Sequence, residues 1–241
     1  MKILVCRPQD DAISLTEQLC LNGFLAVSLP TIKICYQKIT NNVVDDYTSL
    51  IFTSKYAVES LFDQYPADLF KNKKIYSVGS STAAVLKKYR FDAIYPVRHG
   101  SKELLNIILK DDISTDKFAI ISGVSGNDLL LEELSKLTDC HKFETYSRVF
   151  VDLDELIDAY NKVFLYQQPN IIIVTSLDVF KSLNRVFEKI TTPKAATITI
   201  TSPKMLKFVN QQGFKHTLKL EKIDNNYICQ RIIRIYRAKV C

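Results

Sequence analysis

Two Thr-Ser pairs stand where an apolar run gives way to an amphipathic pattern. Thr53-Ser54 follows Leu50-Ile51-Phe52, and Thr175-Ser176 follows Ile172-Ile173-Val174. A Ser at the start of a helix can accept from the free N–H groups of the first turn. The same N–H groups and hydroxyl can instead face an anion. Ser80, Ser81 and Thr82 after Gly79, and Ser202 before Pro203, sit in comparable places. Gly123-Val124-Ser125-Gly126 is a short glycine turn whose N–H groups could hold a carboxylate. For any one of these residues capping is the ordinary role. As a set facing one ligand, they would suit a molecule carrying many carboxylates.

Other chemistries are poorly supplied. The three histidines, His99, His141 and His216, are not set beside a nucleophilic Ser or Cys in a known motif. There is no G-x-G-x-x-G and no G-x-x-x-x-G-K-[ST]. The cysteines, at 6, 20, 35, 140, 229 and 241, form no C-x-x-C or Cys/His cluster, so neither a metal site nor a disulfide framework is expected. Cys6, Cys20 and Cys229 read as small core residues.

The elements that must position these hydroxyls alternate in type along the chain. Apolar runs at 2–6, 26–29, 49–52, 75–78, 118–122, 171–174, 196–201 and 216–220 read as strands, and 92–95 reads as a further one stopped by Pro96. Residues 31–37 and 141–151 read as extended. Helical patterns cover 10–22, 55–64, 83–89, 127–137, 154–165, 177–185, 203–212 and 224–239, with a further helix opened by Ser101 as its cap. Pro203 suits a first helical turn, where its missing N–H costs nothing. Such alternation predicts parallel sheets with right-handed crossovers. Ligands then sit beyond the carboxyl ends of the strands, at the loops 7–9, 53–55, 79–82, 122–127, 175–177 and 201–204. The pattern repeats: Val78-Gly79-Ser80-Ser81-Thr82-Ala83 aligns with Thr201-Ser202-Pro203-Lys204-Met205-Leu206, and Phe91 with Phe214. Two similar α/β halves are expected.

The chain has 241 residues, 47% hydrophobic and 24% charged, ordinary for a globular protein of one large or two small domains. No run is long and apolar enough to span a bilayer, and 3–6 is too short for a signal-peptide core, so the expected compartment is the cytoplasm. The net charge of +6 mildly favours an anionic partner. The basic residues are dispersed apart from 71–74 and Arg231, Arg234, Arg237 and Lys239, and no nucleic-acid-binding motif is present.

Taken in order, these marks resemble the uroporphyrinogen-III synthase family of tetrapyrrole biosynthesis. The resemblance runs through Ile3-Leu4-Val5-Cys6-Arg7-Pro8, Phe52-Thr53-Ser54 with Ala57-Val58-Glu59, and Val78-Gly79 with Thr82-Ala83. It continues through Ser101 with Glu103-Leu104-Leu105, Gly123, Gly126, Asp128-Leu129, Tyr146, Val174-Thr175-Ser176, Ser202-Pro203 and Gly213. Each motif is sparse; their order and spacing are specific. Two positions depart from the family: Ser122-Gly123 stands where Arg-Gly is usual, and Met205-Leu206 where Thr-Ala is usual. No role is carried onto position 205.

The resemblance implies two similar α/β domains with parallel sheets joined by a two-stranded antiparallel linker. One domain would be 1–34 with 149–241, the other 37–146, with 32–37 and 145–150 as the paired linkers. The implied reaction closes hydroxymethylbilane, a linear tetrapyrrole, to uroporphyrinogen III. Its terminal hydroxyl leaves as water, an azafulvene cation and a spiro intermediate follow, and the last ring is inverted. The activity would be that of a cyclising hydro-lyase needing no cofactor, a monomer without nucleic-acid or membrane partners, its substrate handed over by the preceding deaminase. The protein's main task would be to fold and hold an already reactive molecule. Substrate binding would fall to Arg7, Thr53, Ser54, Gly79, Ser80, Ser81, Thr82, Gly123, Thr175, Ser176, Ser202 and Lys204. Tyr146 matches the family's interdomain tyrosine and would assist departure of the hydroxyl as a general acid; an aromatic packed in a linker is the ordinary alternative. Duplicated α/β lobes also fit a two-lobed small-molecule binding protein without catalysis, against which the missing export signal counts. A nucleotide-binding transferase is weakened by the missing phosphate loop.

Overall fold

The structure, a computed structural model, describes residues 1–39, 46–164 and 167–237. The chain divides into two compact units, Met1–Lys33 with Val149–Cys241, and Ile34–Arg148. It opens with β1 (Lys2–Cys6), α1 (Gln9–Leu21), β2 (Leu25–Ser28) and β3 (Ile32–Tyr36). The second unit continues with β4 (Ser49–Phe52), α2 (Lys55–Gln64), β5 (Lys74–Ser77), α3 (Ser80–Lys88), α4 (Ser101–Ile108), β6 (Lys117–Gly123), α5 (Leu129–Leu134) and β7 (Asp139–Phe150). The chain then forms α6 (Leu153–Phe164), β8 (Ile171–Val174), α7 (Leu177–Phe187), β9 (Thr197–Ile200), α8 (Pro203–Gln211), β10 (His216–Lys219) and α9 (Asn225–Arg237).

The first unit's sheet has the order β10-β9-β8-β1-β2, and its pairs are parallel. Parallel strands are covered on both faces, which is why Ile3–Cys6 of β1 and all of β8 are unbroken apolar runs. Leu4 and Cys6 pack on one face with Val174, Phe180 and Leu183. Ile3 and Val5 pack on the other with Leu15, Leu19, Ile228 and Ile232. The second unit repeats this plan in the order β3-β7-β6-β4-β5, with β7-β6-β4-β5 parallel. Leu50, Phe52, Ala119 and Ile121 face one cluster, and Ile51, Phe118 and Ile120 the other. Full burial of each such side chain stabilises by about 1.5–3 kcal/mol. The linker segments pair: Val151 N–H donates to Thr31 O at 3.1 Å and Gln37 N–H to Thr145 O at 2.8 Å. One partner number falls as the other rises, the antiparallel sense.

Three helices stop in the same way. α1, α3 and α8 end in a left-handed residue followed by Phe: Gly23 (φ 82°), Arg90 (φ 67°) and Gly213 (φ 85°). The following amides of Phe24, Phe91 and Phe214 donate back to Leu19, Leu86 and Val209 carbonyls. This is the Schellman closure, in which a residue without a β-carbon is easiest at the left-handed position.

Several expected elements differ. α3 begins at Ser80, not at 83, because Gly79 is extended and its carbonyl already accepts from Ala83 N–H. Ser101 is not a cap; it lies inside α4, and Gly100 precedes it. Residues 92–95 form no strand, only a bridge from Ile94 to Tyr76, and Pro96 has no N–H to extend it. α5 stops at Leu134 rather than near 137, since the chain must turn to enter β7 at Asp139 beside Lys117. Cys20 is exposed, because α1 buries Ala12, Leu15 and Leu19 instead; Cys6 and Cys229 are buried. Leu165, Lys239 and Cys241 lie outside the described residues.

Candidate active site

At the carboxyl edge of the second unit's sheet a cleft of about 340 Å³ opens among Thr53, Ser54, Val78, Gly100, Ser101, Gly123, Ser125, Gly126, Asn127, Tyr146 and Arg148. Its walls are the turns after β4, β5 and β6 and the far end of β7, where a parallel sheet presents its ligands.

Ser54 is built by the β4–α2 junction. Its backbone is extended (φ −159°, ψ 165°), and its Oγ accepts from Ala57 N–H at 3.1 Å. Ser176 and Ser202 repeat this geometry, accepting from Val179 and Met205 N–H at 3.2 Å each. In addition, Ser54 Oγ lies 2.9 Å from Tyr146 Oη.

Tyr146 reaches that oxygen through an irregularity in β7. Ile121 pairs with Phe143 and Ser122 with Glu144, but Gly123 pairs with Tyr146, so Thr145 is an extra residue. In an unbroken strand Phe143 and Tyr146 would face opposite ways. The bulge re-aims Tyr146 to the Phe143 side, and both join one core cluster. Thr145 is fully buried, with its Oγ1 2.5 Å from Ser60 Oγ on α2. The Tyr146 carbonyl accepts from Val124 N–H at 2.8 Å. Its ring meets Tyr56 edge-on at 5.7 Å between centroids. It lies over Gly123, where a β-carbon would approach its Cζ to 2.6 Å. Tyr146 as a whole is 1% exposed, so its packing role is real, and it is also among the residues that line the cleft. Arg148 Nη2 donates to that hydroxyl at 3.1 Å, and its guanidinium lies 5.4 Å from the ring centroid.

The 123–127 turn is braced from below. Ser125, with φ 57°, donates its N–H to Glu144 Oε1 at 3.1 Å. Thus one N–H of the glycine turn does hold a carboxylate, supplied by the protein itself. Lys142 Nζ ties Asp128 at 2.6 Å, the Gly126 carbonyl at 3.2 Å and Glu144 at 3.4 Å. Burial pulls its pKa down, but the Asp128 carboxylate, with Glu144, outweighs this and leaves it above the ordinary lysine value.

Of the residues singled out from sequence, Thr53, Ser54, Gly123 and Tyr146 line this one cleft. Thr53 Oγ1 is bound to the Ile121 carbonyl at 3.2 Å. Gly79, Ser80, Ser81 and Thr82 form the start of α3; Ser80 and Ser81 are exposed and Thr82 is buried. His99 packs against this turn, its Nε2 3.1 Å from Ser80 Oγ. Arg7, Thr175, Ser176, Ser202 and Lys204 belong to the first unit. Arg7 is buried there, bonded to Asn225 and, at 3.4 Å, to Asp11. Met205 is fully buried, as is nearly Thr82 at the aligned position, so both point into the cores of their units. Ser125, from the glycine turn offered to a carboxylate, and Asn127, from the loop 122–127, also line the cleft; Arg148 lines it and was not singled out. For Arg148 a signal existed: it is two residues after Tyr146 on an extended segment, which places both on one face.

Among the described residues no group of three or more His, Cys, Asp or Glu could hold a metal ion, and no helix is long and apolar enough to cross a membrane.

Known proteins share this architecture. The sequence profile of the family described as uroporphyrinogen-III synthase HemD matches residues 13–225. A provisionally named uroporphyrinogen-III synthase of Methanocaldococcus jannaschii is 29% identical over 223 residues, 89% of this chain and 91% of its own. The crystal structure of uroporphyrinogen-III synthetase from Helicobacter pylori superposes with a TM-score of 0.64 at 16% identity, over 97% of this chain and 99% of that one. A mutant uroporphyrinogen III synthase from Thermus thermophilus gives a TM-score of 0.59 at 12% identity, over 99% of this chain and 100% of that one. At such identities the two structures speak to the fold alone.

Proposed function

The chain belongs to the uroporphyrinogen-III synthase family, and on that premise we propose that it closes hydroxymethylbilane to uroporphyrinogen III, with inversion of the last pyrrole ring and loss of water. The observation that carries this reading to particular atoms is the Tyr146 hydroxyl, in hydrogen-bond contact with Ser54 and Arg148, all three residues lining the cleft. The phenol donates its proton to the departing hydroxyl, and the C–O bond breaks with its electron pair on that oxygen, leaving water and an azafulvene cation. The cation is attacked by the far end of the same chain, the spiro intermediate reopens, and the macrocycle recloses with the ring inverted. The proton released on closure restores the phenol.

The cation forms readily, so the residues contribute most by fixing the shape of a flexible substrate. Ser54, Ser125 and Asn127 offer donors to its acetate and propionate carboxylates. The helix starts at Gly79–Ser81, Thr175-Ser176 and Ser202, with Lys204 nearby, offer the same chemistry on a net charge of +6; Thr82, buried in its core, does not. The two compact units correspond in this reading to the family's two domains. The enzyme acts in the cytoplasm as a monomer, on substrate handed over by the preceding deaminase. A binding protein without catalysis is not favoured, because the family match covers nearly the whole chain.

The test is a coupled assay in which hydroxymethylbilane is generated in the presence of the chain and the products are separated. The III isomer is expected in place of the spontaneous I isomer. If only the I isomer forms, at a rate independent of the chain, the assignment fails. Tyr146→Phe is expected to fold normally and to make the III isomer more slowly; a normal rate would leave conformational control of the substrate as the whole of the catalysis.

A further inference from the structure

We propose that Arg148 is a positioning residue that directs the Tyr146 proton and holds the oxygen it leaves behind; this rests on the reading of Tyr146 as the proton donor. The argument is one of donors and acceptors around one oxygen. A guanidinium only donates, so the Arg148 Nη2 contact at 3.1 Å fixes a lone pair of Tyr146 Oη as the acceptor. The phenol's own proton must then point elsewhere, toward Ser54 Oγ at 2.9 Å or into the cleft. Ser54 Oγ already accepts Ala57 N–H at 3.1 Å, but keeps another lone pair and its own proton. While the phenol is protonated, Ser54 can accept from it. Once the proton has passed to the departing hydroxyl, Ser54 can turn its O–H to the phenolate while still capping α2. The phenolate oxygen then receives two donors, one of them charged. Charge-assisted hydrogen bonds are about twice as strong as neutral ones. Donors already aimed at a site where charge develops lower the barrier without rearrangement.

The fold supplies the aim. Tyr146 and Arg148 both follow the extra residue Thr145, so the irregularity that turns the ring to the cleft turns the guanidinium with it. The guanidinium also lies 5.4 Å from the ring it serves, within the range of a cation–π contact.

The experiment is a cycle of Arg148→Ala, Tyr146→Phe and the double variant, with Arg148→Lys and Arg148→Gln alongside. For each, kcat and KM for III-isomer formation are measured with the melting temperature. Loss of a single oxyanion donor typically lowers kcat about 10²–10³-fold; with so labile a leaving group about tenfold is expected for Arg148→Ala, with KM nearly unchanged. Arg148→Lys should recover part of the loss, and Arg148→Gln less. In the Tyr146→Phe background Arg148→Ala should lower kcat no further, since the oxygen it serves is gone. A raised KM with unchanged kcat would make Arg148 a substrate-carboxylate contact and overturn the proposal. So would an equal loss in the Tyr146→Phe background. If Tyr146→Phe runs at the wild-type rate, the proton-donor reading falls and this one with it. If Tyr146→Phe is slow but a folded Arg148→Ala is not, only this one falls. Should Arg148→Ala fail to fold, the Lys and Gln variants carry the same comparison.

Discussion

The ring of Tyr146 lies so close to Gly123 that a β-carbon there would stand 2.6 Å from Cζ and 2.9 Å from Oη. The contact is with the ring itself rather than with a flexible side-chain end. The ring is also held by the Val124–Tyr146 backbone bond and by Tyr56. Gly123→Ala should therefore push the phenol off Ser54 and Arg148. A stability loss of about 1–3 kcal/mol, as for overpacking, should accompany a fall in the rate of III-isomer formation. Unfolding curves beside the coupled assay check it; a folded variant with an unaltered rate would show that the phenol's position does not matter.

Ser54 and Ser176 cap their helices with the same geometry, but Ser54 also touches Tyr146. Each Ser→Ala change should cost about 0.5–2 kcal/mol of stability. Only Ser54→Ala should also disturb proton delivery and lower kcat through Tyr146. Equal kinetic effects from both would reduce Ser54 to a cap and nothing more.

Arg90 holds the left-handed position that Gly23 and Gly213 hold at the ends of α1 and α8. A side chain with a β-carbon loses about 1 kcal/mol or more there, which glycine avoids. Arg90→Gly should therefore raise the melting temperature without changing catalysis. A lower melting temperature would mean that the arginine side chain makes contacts worth more than the backbone conformation costs.

Alkaline pH should weaken the fold. Burial, aided by the Asp139 charge, pushes the Cys140 thiol from its ordinary 9.0 up to about 12. Burial likewise raises Cys6, Tyr47, Tyr76 and Tyr160. In the unfolded chain the Cys140 thiol ionises from about pH 9, while in the folded chain it keeps its proton. The unfolded state thus gains alone, and stability falls as pH rises from about 9 toward 12, by at most about 1.4 kcal/mol per pH unit for one group. Denaturant curves at pH 8 and 10.5 should show a smaller loss in Cys140→Ala than in the wild type. Equal losses would put the alkaline sensitivity elsewhere.

What the sequence determined by itself is what nearest neighbours and burial on both faces dictate. The runs Ile3–Cys6 and Ile171–Val174 read as strands because a parallel sheet covered on both sides demands apolar residues without interruption. Ser54, Ser176 and Ser202 read as helix starts because a cap is satisfied within three residues. The failures have the same origin in reverse. Residues 92–95 have strand-like composition, but whether they pair depends on the edge offered by β5, which is remote in sequence. α5 ends early because β7 must begin at its pairing register with β6, again a distant constraint. The site itself lies mostly on that side of the line. Tyr146, Gly123 and Ser54 could be singled out, but their mutual contact could not. It arises from one unpaired residue, Thr145, in the register between β6 and β7, and from a buried hydroxyl pair with Ser60 on α2. A shift of one residue turns a side chain to the opposite face of a strand. That Arg148 shares the face of Tyr146 follows from their spacing; which face that is, is a property of how two strands pair, decided only when the chain has folded.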